Sequence, residues 1–168
     1  MAKTDFFKVY GAESRQDKLI KISADNVLLI YGYGTDDGQG YNWRKYYDHK
    51  PTEEELKADI EALVNGITDG NILNGFTWSG KPVYLSTENQ MNFKAAYDLA
   101  VQTEGATLPL KMKLGEDADG NAVYHTFTAL SAFTDFYTKA VAYIQSALQE
   151  GWTEKDGVDY SKLLGADE

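Results

Sequence analysis

"GFTWSGKPVYLSTENQ", residues 75–90, decides the fold class. Two short alternating runs, Phe76-Thr77-Trp78 and Val83-Tyr84-Leu85, flank Ser79-Gly80-Lys81-Pro82. Alternation puts Phe76 and Trp78 on one side of the first run, and Val83 and Leu85 on one side of the second, which is the period of a half-buried strand. Glycine and proline in the intervening tetrapeptide mark a turn. Thr87 with Gln90 three residues later is a capping-box pattern and predicts a helix start. Phe93, Ala96, Tyr97, Ala100 and Val101 then recur at helical spacing as far as Gly105. A hairpin thus runs straight into a helix whose apolar face must be buried, which is the pattern of an α+β fold.

The same layout follows downstream. Leu110, Met112 and Leu114 alternate with Lys111 and Lys113, and Pro109 is tolerated only at the first strand position or on an edge. Residues 115–121 read as a loop, and Val123, His125 and Phe127 as the partner strand. Thr128 is positioned to cap a final helix with Leu130, Phe133, Tyr137, Ala140, Val141, Ile144 and Leu148 as its apolar stripe, ending at Gly151. The two hairpin-helix stretches share no sequence identity, so the layout is similar without being a repeat. Upstream, Pro51 bars its predecessor from helical geometry, and Thr52 with Glu55 forms a second capping box. Leu56, Ile60, Leu63, Val64 and Ile67 follow at helical spacing, with Gly66, Gly70 and Asn74 loosening the end. Residues 6–10, 19–22, 27–33 and 41–47 read as strands rich in β-branched and aromatic residues, with 34–40 as a hairpin turn. The expectation is an α+β fold of antiparallel hairpins packed against three helices, with an aromatic-rich N-terminal β-unit. It divides into 1–50 (the β-unit), 51–163 (the hairpin-helix part) and 164–168 (an acidic tail). Trp152 and Tyr160 are possible anchors for the polar stretch 152–168.

The chain has 168 residues, enough for one domain or a domain with a small appendage. Its 26 acids against 16 bases give a net charge of −10, which repels phosphate backbones and anionic lipid, so neither nucleic acid nor a membrane surface is expected as a partner. It has no cysteine, which removes disulfides, thiolate catalysis and Cys-built zinc sites. The start, Met-Ala-Lys-Thr-Asp, lacks an apolar run of signal-peptide length, and no stretch approaches the roughly 20 apolar residues of a membrane span. The default address is cytoplasmic.

No catalytic set emerges from the motifs. The segment 32–38 is glycine-rich but lacks the Gly-Lys-Ser/Thr ending of a phosphate loop and reads as a hairpin turn. Asp117-x-Asp119-Gly120-Asn121 hints at a calcium loop, yet the twelfth position is Thr128, and a turn explains it. His125 reads as a packed strand residue and His49 has no obvious partner; no Gly-x-Ser-x-Gly turn is present. The carboxylates sit mostly in first turns and loops, where capping and solvation explain them, although a paired-carboxylate hydrolase is not excluded by composition. Catalytic residues, metal and cofactors are therefore expected to be none. Aromatics make up 13% of the chain, with 12 Tyr, and they cluster. Tyr31, Tyr33, Tyr41, Trp43, Tyr46 and Tyr47 are the candidate binding residues, because Tyr and Trp offer rigid amphipathic surface for sugars or proteins. Alternation predicts that Tyr31 and Tyr33 share a face, as do Tyr41 and Trp43, so that about half the cluster is core.

The block "NGFTWSGKPVYLSTENQMNFKAAYDLAV", 74–101, with "TLPLKMKLG", "YHTFTALSAFTDFYTKAVAYI" and "GWTEKDGVDYSKL" after it, resembles a domain of unknown function. That domain is found in phage tail-fibre and tail-fibre-assembly-type proteins, and in phages and prophages of gut bacteria. The similarity covers roughly 50–163 and rests on structural motifs: a "GFTW-x-G" hairpin, a capped helix, a second strand pair and a terminal helix. It implies a virion-associated or tail-assembly protein, located in the virion or in the host cytoplasm during assembly. Such a protein works by binding other phage structural proteins or itself as a homo-oligomer. The alternatives are a glycan- or receptor-binding module that uses the Tyr/Trp cluster, and an enzyme of unrecognised type.

Overall fold

The computed structural model describes residues 5–165, so 166–168 of the expected acidic tail lie outside the described residues. The elements, in chain order, are β1 (Phe7–Tyr10), β2 (Lys18–Ser23), β3 (Asn26–Asp36), β4 (Gln39–Tyr47), α1 (Glu53–Asn74), β5 (Phe76–Trp78) and β6 (Lys81–Val83), followed by α2 (Thr87–Gln102), β7 (Leu110–Glu116), β8 (Ala122–Phe127), α3 (Leu130–Asp156) and α4 (Tyr160–Leu164). The fold is α+β: every strand pairing is antiparallel. The chain divides into two compact units, Met1–Leu63 with Lys155–Glu168, and Val64–Glu154.

In the first unit one four-stranded sheet runs β1-β4-β3-β2. The inner strand β3 is buried on both faces: Val27, Leu28, Leu29, Ile30 and Tyr31 are all at most 6% exposed. Its continuous apolar run is what two-sided burial requires. On one face the register aligns Leu19, Leu29 and Lys45 in a row, and Val27 with Tyr47 beside it. α1 meets this face through Asp59, which accepts from the Tyr47 hydroxyl at 2.7 Å and pairs with the Lys45 ammonium at 2.9 Å. Lys45 is only 6% exposed, and a buried ammonium without such a partner is strongly destabilising. Burial, and then the bond to Asp59, push the Tyr47 hydroxyl well above the usual phenol range. The Thr52–Glu55 capping box forms in both directions, Thr52 N–H to the Glu55 carboxylate and Glu55 N–H to Thr52 Oγ1. α4 packs against β2, buries Leu163 and is capped by Asp159, which accepts from the Lys162 N–H; the polar stretch 152–168 therefore carries a fourth helix.

The β3–β4 turn is tighter than the seven-residue loop 34–40 expected from composition. Asp36 pairs with Gln39, which leaves only Asp37 (φ 48°) and Gly38 (φ 79°) as turn residues. Asp-Gly tolerates two successive positive φ angles, so the strands continue to the tip. The same rule applies at the opening stretch. Ser79 (φ 49°) and Gly80 (φ 72°) make a two-residue turn, so Trp78 pairs with Lys81 and β6 lies two residues earlier than the alternating run 83–85 suggested. Tyr84 N–H then bonds Leu114 O at 2.8 Å, joining the hairpin's continuation to β7.

The second unit is built around rings. Trp78 lies 5.5 Å from Phe127 and 5.4 Å from Phe136, and Phe127 stacks on Phe133 at 4.4 Å. Phe93 meets Phe136 edge-on at 5.1 Å, and Leu85 and Leu114 are buried with this set. Edge-to-face and offset contacts of this kind add to the area they bury. Trp78 is 6% exposed and donates its indole N–H to Asp135 at 2.9 Å, so its one polar atom is satisfied. Three helix readings change. The α2 cap is Ser86, accepting from Asn89 N–H, one residue before the expected Thr87. Phe136 joins the buried face of α3, while Val141 is 39% exposed. α3 starts at Leu130 and runs through Gly151 to Asp156. Gly151 is a packing glycine: a Cβ there would lie 2.4 Å from Thr68 Oγ1.

Truncating Trp78 removes the ring at the centre of this cluster and strands the Asp135 bond. Trp78→Ala is expected to lower stability by about 3–5 kcal/mol in urea unfolding, while Val101→Ala at a 45%-exposed position changes it by less than about 0.5 kcal/mol. Equal midpoints for the two variants would show that the ring is not core.

Candidate binding surface

The six aromatic candidates do not form one patch. Tyr31 (2% exposed) and Tyr47 (0%) are core residues of the first unit. Tyr33, Tyr41, Trp43 and Tyr46 are exposed or half-buried. The expectation that Tyr31 and Tyr33 share a face is overturned by a bulge. Tyr31 pairs with Trp43 and Gly34 with Tyr41, so β3 advances three residues while β4 advances two. The extra residue reverses the parity of everything beyond it. Gly32, at φ +67°, supplies the conformation. The bulge is held from both sides: Gly32 N–H donates to Asp17 at 2.8 Å, and the buried Asn42 amide donates to Gly32 O. No local sequence signal other than Gly32 itself pointed to this.

Beyond the bulge, one face of the sheet is covered by its own side chains. Trp43, Tyr41 and Tyr10 follow one another at edge-to-face distances of 5.7 Å. The Lys8 ammonium lies 4.2 Å from the Tyr41 ring centre and 5.3 Å from that of Trp43. Its charge is balanced by Asp36 at 2.7 Å, and Asp36 also accepts from the Tyr10 hydroxyl at 2.8 Å. The Lys8 bond first, and the Tyr10 bond second, hold the Asp36 carboxyl below its ordinary value; the same bond raises Lys8. Gly34 is small because the Tyr41 ring lies on it, and Gly40 because Ala12 O and the Tyr33 ring lie on it. The arrangement is a ledge of rings, with Tyr10 50% exposed, beside an ammonium and a carboxylate; Tyr33, 43% exposed, lies over Gly40 instead. Lys8, Tyr10 and Asp36 were missed from sequence, because only the register places them beside Tyr41.

Comparison with family models, with curated proteins and with solved structures finds no match.

The remaining candidates have structural partners. His49 is not unpartnered: it bridges Asp48 at 2.6 Å and Glu55 at 2.9 Å, with Glu55 foremost in raising its pKa. His125 packs edge-on against Trp78 at 4.9 Å and lies 3.0 Å from the Lys81 ammonium. Burial, then Lys81, lower its pKa, so its Nδ1 accepts from Lys81 at neutral pH. Asp117 accepts from the N–H groups of Asp119 and Asn121, closing the β7–β8 turn. Among the described residues no three His, Asp or Glu side chains converge as a metal-ligand set. The second unit has a groove of about 660 Å³ lined by Leu73, Tyr84, Ser86, Asn89, Lys113 and Glu116 among others. A smaller apolar one of about 250 Å³ lies between α2 and α3.

The sign of the Asp36 effect is set by its depressed pKa. Its stabilisation is present above the unfolded value of 3.8 and is lost as pH falls through the lower folded value. Asp36→Asn is thus expected to melt below wild type at pH 7, with the gap closing as pH falls below 3.8 and through the lower folded value. A pH-independent gap in the melting temperatures would mean that the Lys8–Asp36 charge pair does not act in solution.

Proposed function

We propose that this chain is a non-catalytic docking protein, a virion-associated or tail-assembly component of a phage. In this reading it binds other phage structural proteins, or further copies of itself, through its N-terminal sheet. The observation that carries the docking part is the set of large rings left at the surface of a rigid sheet. On one face Tyr10 is 50% exposed with Tyr41 and Trp43 half-buried beside it; on the other Phe7 is 37% exposed with Tyr46 half-buried beside it, and Tyr33 near the hairpin tip is 43% exposed. Rings already fixed by strand packing lose little entropy on binding, which is why Tyr and Trp dominate contact hot spots. The phage part is supported by the resemblance of residues 50–163 to tail-associated sequences. The virion, or the host cytoplasm during assembly, is then the place of action. No helix among the described residues is long and apolar enough to cross a membrane.

One observation favours a second reading, glycan or receptor binding. The Tyr10–Tyr41–Trp43 ledge has Lys8 and Asp36 beside it, which pairs ring faces for a pyranose with charged groups for its hydroxyls.

Mass spectrometry of purified particles and of affinity-purified complexes from infected cells decides between them. The docking reading expects the chain in one or both together with tail proteins; its absence from particles and from every tail-protein complex overturns it. A glycan array that responds to wild type and loses the signal with Trp43→Ala would establish the second reading.

A further inference from the structure

The register that builds the ring ledge also builds a different surface on the opposite face of the same sheet. Phe7 pairs with Arg44, Arg44 with Ile30, and Ile30 with Lys18. These four residues make one row across all four strands, pointing away from the face on which Lys45 meets Asp59. Tyr46, one pair along, stacks on Phe7 at 5.8 Å. Phe7 is 37% exposed and Lys18, at the outer end of the row, is exposed.

Arg44 is the unusual member. Among the described residues its guanidinium makes neither a hydrogen bond nor an ion pair, and its Nε is buried with no acceptor. This occurs in a chain with 26 acids against 16 bases, where carboxylates to pair with are abundant. The strand acid nearest in the sheet, Asp36, belongs to the other face, where it holds Lys8 and Tyr10. No strand residue described on the Arg44 face carries a carboxylate. The result is a cationic patch on an apolar floor, with two positive side chains and no carboxylate beside them among the described strand residues.

We propose that this face docks a protein segment presenting one or two carboxylates within an apolar stretch, with Arg44 receiving the carboxylate. The guanidinium fork matches a carboxylate in two parallel hydrogen bonds, and a lysine does not provide that geometry. Arginine surrounded by aromatic and aliphatic side chains is the composition of a binding hot spot, because the apolar rim excludes water from the charged contact. The donors Arg44 leaves unspent are those a partner would satisfy. Net charge selects among anionic partners: at −10 the chain repels polyanions at a distance, which disfavours nucleic acid and long acidic runs. An isolated carboxylate flanked by apolar residues does not meet that penalty to the same degree. The inference rests on the docking reading above and specifies the chemistry of its partner.

The test uses the full chain and a random twelve-residue peptide display library as the probe. Selection is expected to enrich peptides with one or two Asp or Glu residues among aromatic and aliphatic neighbours. An enriched peptide, synthesised and measured by calorimetry, is expected to lose roughly tenfold or more in affinity on Arg44→Gln, and equally when its own acid is changed to the amide. Arg44 has no partner to lose, so Arg44→Gln is expected to melt with wild type. Should it fail to fold, Lys18→Glu at the exposed end of the row replaces it and is expected to weaken binding by repulsion. Lys8→Gln on the opposite face serves as the control and is expected to leave binding within about twofold. Enriched peptides without acids, or affinity unchanged by Arg44→Gln, overturn the inference while leaving protein docking at the ring ledge standing. Sedimentation equilibrium showing a dimer that Arg44→Gln dissociates overturns it in another way, by making a second copy the occupant.

Discussion

β3 is buried on both of its faces, and the rest of the N-terminal unit is arranged around that constraint. A strand with no solvated side must have neighbours on both edges and cover above and below. β2 and β4 supply the edges. On one face, α1 and its Asp59 supply cover over Tyr47 and Lys45. Where that link ends, toward the hairpin tip, the cover comes from the sheet itself: Lys8 lies across Tyr41 and Trp43, with Asp36 holding the ammonium. A cation on a ring is a weak contact singly. Here it closes a sheet face without a helix, and that is why rings remain at the surface there.

How much of this was legible depends on whether the signal is local. Helix periodicity and capping chemistry are local, so the Thr52–Glu55 box, the α2 stripe through Phe93 and Ala100, and the hairpin-helix order were readable from spacing. Turn tightness was readable in principle, since Asp37-Gly38 is a strong two-residue signal. It was masked by the glycines at 32, 34 and 40, which made the whole stretch resemble a loop. Those glycines serve different ends: Gly32 forms the bulge, and Gly34 and Gly40 make room for Tyr41 and Tyr33. Gly151 misled for a similar reason. A glycine near a helix end is usually a stop signal, but this one is dictated by Thr68 on α1, which is 83 positions away in sequence and leaves no trace around Gly151. Phe136 lies between Phe133 and Tyr137, so a stripe at helical spacing through those two passes it by.

The candidate site was less legible than the fold, for a geometric reason. Alternation assigns faces only while the register is unbroken, and one inserted residue at Gly32–Tyr33 reverses the assignment beyond it. Composition therefore identified the aromatic cluster without separating Tyr31 and Tyr47, which are core, from Tyr41 and Trp43, which line the ledge. Lys8, Tyr10 and Asp36 come from β1 and the far end of β3, and only strand pairing brings them together.

The two faces of the first unit's sheet handle their most buried cations differently. On the α1 side Lys45 pairs with Asp59 and Lys8 with Asp36. On the other side Lys18 and Arg44 have none among the described strand residues. Pairing Arg44 would have taken a single acidic substitution at a cross-strand neighbour such as Phe7 or Ile30, and opposite charges at such positions attract directly. Apolar residues occupy those positions instead. For stability within the chain that choice gains apolar contact and forgoes a charge pair. For binding it leaves a guanidinium whose hydrogen-bonding capacity is uncommitted and whose surroundings can be dried by a partner, so that an arriving carboxylate interacts in a lower dielectric than water.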